Sequence, residues 1–433
     1  MLDPCVPVVL LRIDPNPFHH GTLGAARSLG RCGVEVHVAA AGAGSPVARS
    51  RYVTQMHPAP RPGASPAEVV GILRRTAARI ARPAVLIPMD DAGAIAVSQL
   101  RETLTEMFLL PEQPEHLAEY VADKARLPEL CRAVGIEHPA TLLPRDEHEA
   151  YSGAEELGLP VVAKWSHPWL LPPGSGLRST CLVRTAQEAR SLYLKGLGTG
   201  SELLLQRYLA AGRGNDWFFH GYVDRHGKLH GGGAGAKQHA WPRGAGLTAV
   251  GRWAPVPELQ ATVEHLVEAL EYRGIFDIDF RVDTETGKYC LLDFNPRPGA
   301  QFRVFADGNG LDVVRAQYLD LTHQPLPDGH ALPGRTFIVE NYAPLSALRA
   351  LMTSTLPARR SAVTGEFAWH AADDVAPARA MAAAWSQHAA RRLLRRPRPT
   401  VDDLPEALYE GPSGPTEPAA AVRTATAERK ASC

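Results

Sequence analysis

Four residues near the end of the second third of the chain carry chemistry that their spacing lets them share: Asp279, Asp293, Asn295 and Arg297. Ile275 to Val282 alternates, with Ile275, Asp277, Asp279 and Arg281 on one face and Phe276, Ile278 and Phe280 on the other. Thr284-Glu285-Thr286-Gly287 supplies a turn, and a second run follows from Tyr289 to Phe294. Pairing the two runs as a hairpin brings Asp279 close to Asp293, with Asn295 on the same face. Two carboxylates and an amide oxygen are hard ligands that suit Mg²⁺ bridging nucleotide phosphates. Arg297 points the same way and offers a planar fork to a phosphate. The same pattern also describes an ordinary amphipathic hairpin with a solvated polar face.

The lysines are informative because they are scarce: seven of 46 basic residues. Lys164 ends the apolar run Leu159-Pro160-Val161-Val162-Ala163. Buried there, its ammonium costs several kcal/mol unless paired, and a phosphate is a suitable partner. A loop with Gly174-Ser175-Gly176 follows, able to turn backbone N–H groups toward an anion. Lys124 follows Asp123 at the head of an expected helix that runs to about Val134, and Lys237 follows a glycine-rich run, Leu229 to Ala236. A lone lysine in any of these places also fits a solvated surface.

The elements that position these groups read as follows. Val6 to Ile13 is a buried strand, Thr22 to Arg31 a helix, Val34 to Ala40 a strand, Ala84 to Pro88 a strand and Ala92 to Leu104 a helix. That order predicts a doubly wound parallel sheet, whose ligands sit outside the carboxyl ends of the strands. His19, His20, Asp90 and Asp91 lie at such ends; contact with an acceptor substrate and plain helix capping are equally good readings of them. No GxGxxG follows the first strand, so a dinucleotide site is not expected. Farther on, strands are expected at Leu203 to Leu209, Trp217 to Val223 and Arg335 to Tyr342. Helices are expected at Thr185 to Leu194, Val256 to Tyr272, Gly308 to Leu319 and Pro377 to Arg396.

A chain of 433 residues, 45% apolar and 21% charged, exceeds one compact core. Its formal net charge of zero gives no field that attracts nucleic acid. Six cysteines without a CxxC pair read as reduced thiols of a cytoplasmic protein. The early apolar run lacks a basic leader, and no run reaches about 18 apolar residues, so neither a signal peptide nor a membrane span is expected.

Taken in order, these motifs resemble the ATP-grasp superfamily, closest to its carboxylate–amine ligases of the D-aspartate ligase-like branch. The resemblance rests on Asp123-Lys124, Gly135-Ile136-x-x-Pro139-x-Thr141, Lys164, the Gly174–Gly176 loop, Lys237, Asp279 and Asp293-x-Asn295-x-Arg297. It implies an α/β chain: an N-terminal doubly wound domain (1–115), the opening helix and lid of a two-part ATP-grasp domain (116–205), and an α+β catalytic body (206–330). An accessory segment (331–395) and a disordered tail (396–433) complete the expected division.

By the same resemblance, ATP is held by Lys124, Lys164, Ser175 and Gly176, by the hinge Gln206, Arg207, Tyr208 and Leu209, and by Asp216 at the ribose. Mg²⁺ or Mn²⁺ is held by Asp279, Asp293 and Asn295, while Arg297, Lys237 and Arg243 are the catalytic candidates. Three departures stand out: Asp at both acidic positions where Glu is commoner, Gln206-Arg207-Tyr208 at the hinge, and Lys237-Gln238-His239 in place of Lys-x-Arg. The implied reaction joins a small carboxylate to an amine, both amino-acid-like, through an acyl phosphate, with ADP and phosphate released. Two alternatives stay open: loading of an amino acid onto a carrier-protein thiol, and nucleotide-dependent regulation without catalysis. The expected partners are small molecules or a carrier protein, with homodimerisation open and neither nucleic acid nor membrane involved.

Overall fold

The computed structural model describes residues 2–42, 44–172, 174–212, 214–241, 247–348 and 365–394. The chain divides into two units, Met1–Trp385 and Ser386–Cys433. In the second only residues 386–394 are described, and they are helical. The expected disordered tail and Arg243 lie outside the described residues.

The N-terminal sheet has five parallel strands: β1 Val8–Leu11, β2 Val36–Ala39, β3 Gln55–His57, β4 Ala84–Pro88 and β5 Phe108–Leu109, in the order β3-β2-β1-β4-β5. Every residue of β1 is buried, as a strand covered on both faces requires. Val8 and Leu10 face one core, Val9 and Leu11 the other. The first core also takes in Phe302, Val313, Val314 and Tyr318, so residues from far along the chain close the N-terminal sheet. Arg27, buried on helix His20–Gly30, ties the C-terminal stretch to the helix that follows β1, with Nε 2.9 Å from Asp374 and Nη2 donating to Trp369 O at 2.7 Å.

A second sheet is four-stranded and antiparallel, with β6 Thr141–Leu142, β7 Val161–Trp165, β8 Thr180–Val183 and β9 Leu203–Arg207 in the order β6-β9-β7-β8. A third sheet has seven strands: β10 Asp216–Val223, β11 Leu229–Trp241, β12 Leu247–Trp253, β13 Gly274–Val282, β14 Tyr289–Asn295, β15 Thr336–Ile338 and β16 Gly365–Phe367. Their order is β14-β13-β10-β11-β12-β15-β16. Helix Pro257–Ala269 lays Leu259, Val263, Leu266 and Val267 on Phe276, Ile278 and Phe280 of β13. Each large side chain buried there contributes roughly 1.5–3 kcal/mol.

Several boundaries differ from the sequence reading. The helix expected to open at Asp123 is two helices, Leu117–Ala122 and Leu127–Val134. Asp123 takes extended dihedrals and its carboxylate accepts from Ala125 N at 2.9 Å, which places Lys124 in the turn between them. The first helix begins at His20, because His19 Nδ1 caps it through Thr22 N at 3.2 Å. The helix expected over 92–104 breaks at Leu100 into Asp91–Gln99 and Arg101–Leu104. The helix expected from Gly308 runs Val313–Leu321, where Asp312 caps it. β11 runs on to Trp241, and β15 is shorter than expected. Among the described residues, no helix is long and apolar enough to cross a membrane, and five cysteines are free thiols.

Candidate active site

The β13–β14 register puts Asp279 opposite Asp293 and Asp277 opposite Asn295, as the alternation predicts. Because Phe276, Ile278 and Phe280 are committed to the core, the odd-numbered residues must face the other way. β10 lies on the far side of β13 and sets His220 opposite Asp277. The hairpin forms one edge of the seven-stranded sheet, and its polar face is half-buried, the side chains of Asp279 and Asp293 being 24% and 21% exposed.

Four carboxylates and four cations interlock there. Lys124 Nζ is ion-paired with Asp293 Oδ1, and Lys164 Nζ lies 3.3 Å from the same oxygen while donating to Leu292 O at 2.9 Å. Lys237 Nζ lies 2.7 Å from Asp279 Oδ1. Arg297 places Nε 3.0 Å from Asp91 Oδ1 and Nη1 3.0 Å from Asp277 Oδ2. Asn295 Nδ2 donates to Asp277 O at 3.2 Å, which turns its amide oxygen away from Asp277. His220 Nε2 is 2.8 Å from Asp277 Oδ1 and wholly buried.

Burial opposes every charge in this cluster, and the partners decide the outcome. Burial raises the Asp293 carboxyl, but Lys124 and Lys164 outweigh it and hold the group well below the usual carboxylate range. Asp279 stays raised, because burial is joined by repulsion from Asp277 and Asp293 and only Lys237 opposes them. Asp277 is lowered: His220 and Arg297 overcome its burial. Burial lowers the Lys124 and Lys237 ammonium groups, yet Asp293 and Asp279 respectively lift both above the ordinary lysine value. Lys164 ends lower, since burial and repulsion from Lys124 exceed the pull of Asp293. It is the least firmly protonated lysine of the three.

The donors of Asp279, Asp293 and Asn295 are all oxygens or amides, a set that fits Mg²⁺ or Mn²⁺ and not a soft metal. Among the described residues no three His, Cys, Asp or Glu side chains are grouped so as to hold a metal.

The remaining candidates form a second group. Gln206 is buried at the end of β9 and donates to Thr141 Oγ1 at 3.0 Å. Arg207 turns outward to Asp283 at 2.5 Å, and Tyr208 Oη accepts from Ala211 N at 3.2 Å. Arg281 links the two ends of this segment, with Nε 2.6 Å from Asp216 Oδ1 and Nη1 donating to Leu209 O at 3.0 Å. Ser175 and Gly176 are exposed on the loop before β8, where Gly176 has φ +77°.

The sequence reading did not assign Asp277, His220 or the pairing of Asp91 with Arg297. Asp277 shares the alternation of Asp279 and was legible as a face residue. The Arg297–Asp91 contact spans 206 positions and left no local signal. Asp90 and Asp91 divide the two readings made of them. Asp90 caps the helix through Gly93 N at 2.7 Å and accepts from Asp14 N at 2.5 Å, whereas Asp91 faces the hairpin.

No family model matches the chain. It is 24% identical over 243 residues to a D-aspartate ligase of Enterococcus faecium (strain Aus0004), a match that covers 53% of this chain and 57% of that protein. The chain thus spans little more than half the length of that curated relative. Its structure is similar to that of an L-amino acid ligase from Bacillus licheniformis (TM-score 0.57, 14% identity, 77% of this chain and 79% of that one). A biotin carboxylase–βγ-ATP complex from Campylobacter jejuni is comparably similar (TM-score 0.57, 14% identity, 76% and 74%). The chain has the ATP-grasp fold.

Proposed function

We propose that this chain is an ATP-dependent carboxylate–amine ligase that forms an amide bond through an acyl phosphate and releases ADP and phosphate. The observation that carries the reading is the charge balance of the hairpin. Lys124, Lys164, Lys237 and Arg297 are matched by Asp293, Asp279, Asp277 and Asp91, so the site has no surplus positive charge for a triphosphate. Mg²⁺ or Mn²⁺ held by Asp279, Asp293 and Asn295 supplies the missing charge and screens the transferred phosphoryl group when bound.

In this reading Lys124 and Lys164 let go of Asp293 and turn to the nucleotide phosphates. Positioning and charge neutralisation are the main demands of phosphoryl transfer, and side chains already converged on one carboxylate need move little to meet them. Gln206, Tyr208 and Leu209 border the adenine, and Asp216, fixed by Arg281, stands at the ribose. Ser175 and Gly176 close over the phosphates. Arg297 faces the acyl phosphate and then the oxyanion that forms under amine attack. Lys237 binds the acid substrate, and Arg243 is proposed for the same role. The kinship with a D-aspartate ligase and the likeness to an L-amino acid ligase favour amino-acid-like substrates for both halves of the reaction. The test is ADP release that requires acid and amine together and disappears in Arg297→Ala and Asp293→Ala, both of which should remain folded. Full ADP release in either variant would remove the assignment.

A further inference from the structure

We propose that Asp91 receives the ammonium group of the amine substrate and takes its proton as the amide bond forms, an inference that rests on the ligase reading above.

Asp91 stands where β4 ends and the following helix begins, at the carboxyl edge of the parallel sheet. Its neighbour Asp90 already provides the helix cap, so the Asp91 carboxylate is not needed for that task. It points to Arg297 Nε, 3.0 Å away. The two carboxylates that grip Arg297 differ in access: the side chain of Asp277 is 7% exposed, that of Asp91 27%. Asp277 is thus the fixed partner and Asp91 the one a solute can reach. The other charged groups within reach of Asp91 are Lys124, Asp90 and Arg297.

An acyl phosphate and an ammonium ion are an anion and a cation that must meet. The pair Arg297 and Asp91 is their mirror image. As Arg297 turns to the acyl phosphate, its Nε leaves Asp91, and the vacated carboxylate takes the ammonium. Each charge keeps a partner throughout, which avoids leaving a buried ion bare. The balance of the step is simple. The nitrogen lone pair forms the C–N bond, the bond from the acyl carbon to the phosphate oxygen breaks, and phosphate departs with its electron pair. One nitrogen proton passes to Asp91, a second to the departing phosphate or solvent.

The experiment compares two nucleophiles in the wild type and in Asp91→Asn, with ATP, Mg²⁺ and pooled amino acids of both hands. Amino acids arrive as ammonium ions at neutral pH, whereas hydroxylamine arrives uncharged and traps an acyl phosphate as a hydroxamate. In Asp91→Asn, amino-acid ligation near neutral pH should fall about 100-fold, the usual scale for loss of a proton acceptor. The ratio of hydroxamate to amide should rise at least about tenfold on the same grounds, and ligation should recover as rising pH frees the amine. Asp91→Glu should retain more ligation than Asp91→Asn. Circular dichroism checks folding, and Asp91→Ser replaces the Asn variant if that one unfolds. Equal loss of hydroxamate and amide at every pH would overturn the proposal. A wild type that yields neither ADP nor hydroxamate would overturn the ligase reading, and this inference with it.

Discussion

Asp279 and Asp293 stand directly opposite each other on β13 and β14, yet each carboxylate is held by its own lysines: Lys237 on Asp279, Lys124 and Lys164 on Asp293. The lysines come from the turn before helix Leu127–Val134, from β7 and from β11, so the two aspartates gather residues distant in sequence onto one hairpin.

Neutralising one aspartate should change how the site handles a bare nucleotide. Asp279→Asn leaves Lys237 without its carboxylate, so the cluster gains net positive charge. Metal-free ATP should bind about tenfold tighter than to the wild type, a difference of about 1.4 kcal/mol, while the gain on adding Mg²⁺ shrinks. Calorimetric titration with and without a chelator measures both. Unchanged metal-free affinity together with full Mg²⁺ dependence would contradict the charge balance described above.

Lys164→Met should weaken ATP binding by about 10- to 100-fold, as expected for loss of a charge-assisted hydrogen bond. Lys164 is the natural one to lose, since Lys124 keeps Asp293 neutralised and the fold should hold. A fluorescent-nucleotide titration gives the affinity and urea unfolding the stability. An affinity equal to the wild type would remove Lys164 from the nucleotide site.

Arg297→Lys should not restore function to this position. A lysine supplies charge but no fork, and the native side chain meets Asp91 through Nε and Asp277 through Nη1 at the same time. The turnover rate should drop by about 10²–10³ with little change in the KM for ATP. A KM change alone would place Arg297 in nucleotide binding instead.

Gly299 has no room for a side chain. A methyl group there would meet His220 Cε1 at 2.4 Å and Asp277 Cγ at 2.7 Å, and neither group is free to retreat. Gly299→Ala should therefore cost about 1–3 kcal/mol of stability and lower activity through the shift of Asp277 beneath Arg297. Urea denaturation and steady-state rates report the two effects. An active variant of native stability would show that the His220–Asp277 contact is dispensable.

Burial raises the Asp90 carboxyl from 3.8 to about 6, against two backbone N–H donors. The folded state therefore binds this proton more tightly than the unfolded one. The stability it brings is complete below about pH 4 and is lost as pH rises through about 6, a change of about 3 kcal/mol. Asp90→Asn removes the proton and should flatten this part of the pH–stability curve. Urea midpoints across that range test it, and parallel curves for both proteins would contradict it.

Much of this was readable before the structure because it is local and periodic. The alternation from Ile275 to Val282 fixes the hairpin face, and the all-apolar Val8–Leu11 strand announces a sheet covered on both sides. What escaped is either backbone detail or long range. Asp123 looks like a helix cap, yet its extended dihedrals end one helix before the next begins. β12 went unread because Gly251 and Arg252 interrupt its apolar run. No spacing rule announces that Val313 and Tyr318 complete a core begun by Val8, or that Asp91 answers Arg297.

The measurement that bears most directly on the ligase reading is ADP release with ATP, Mg²⁺ and a pooled panel of amino acids, followed by mass spectrometry of the mixture. The account predicts a new product equal to two substrates less one water, formed in the same amount as ADP. ATP that binds but yields no ADP with any acid and amine would contradict it.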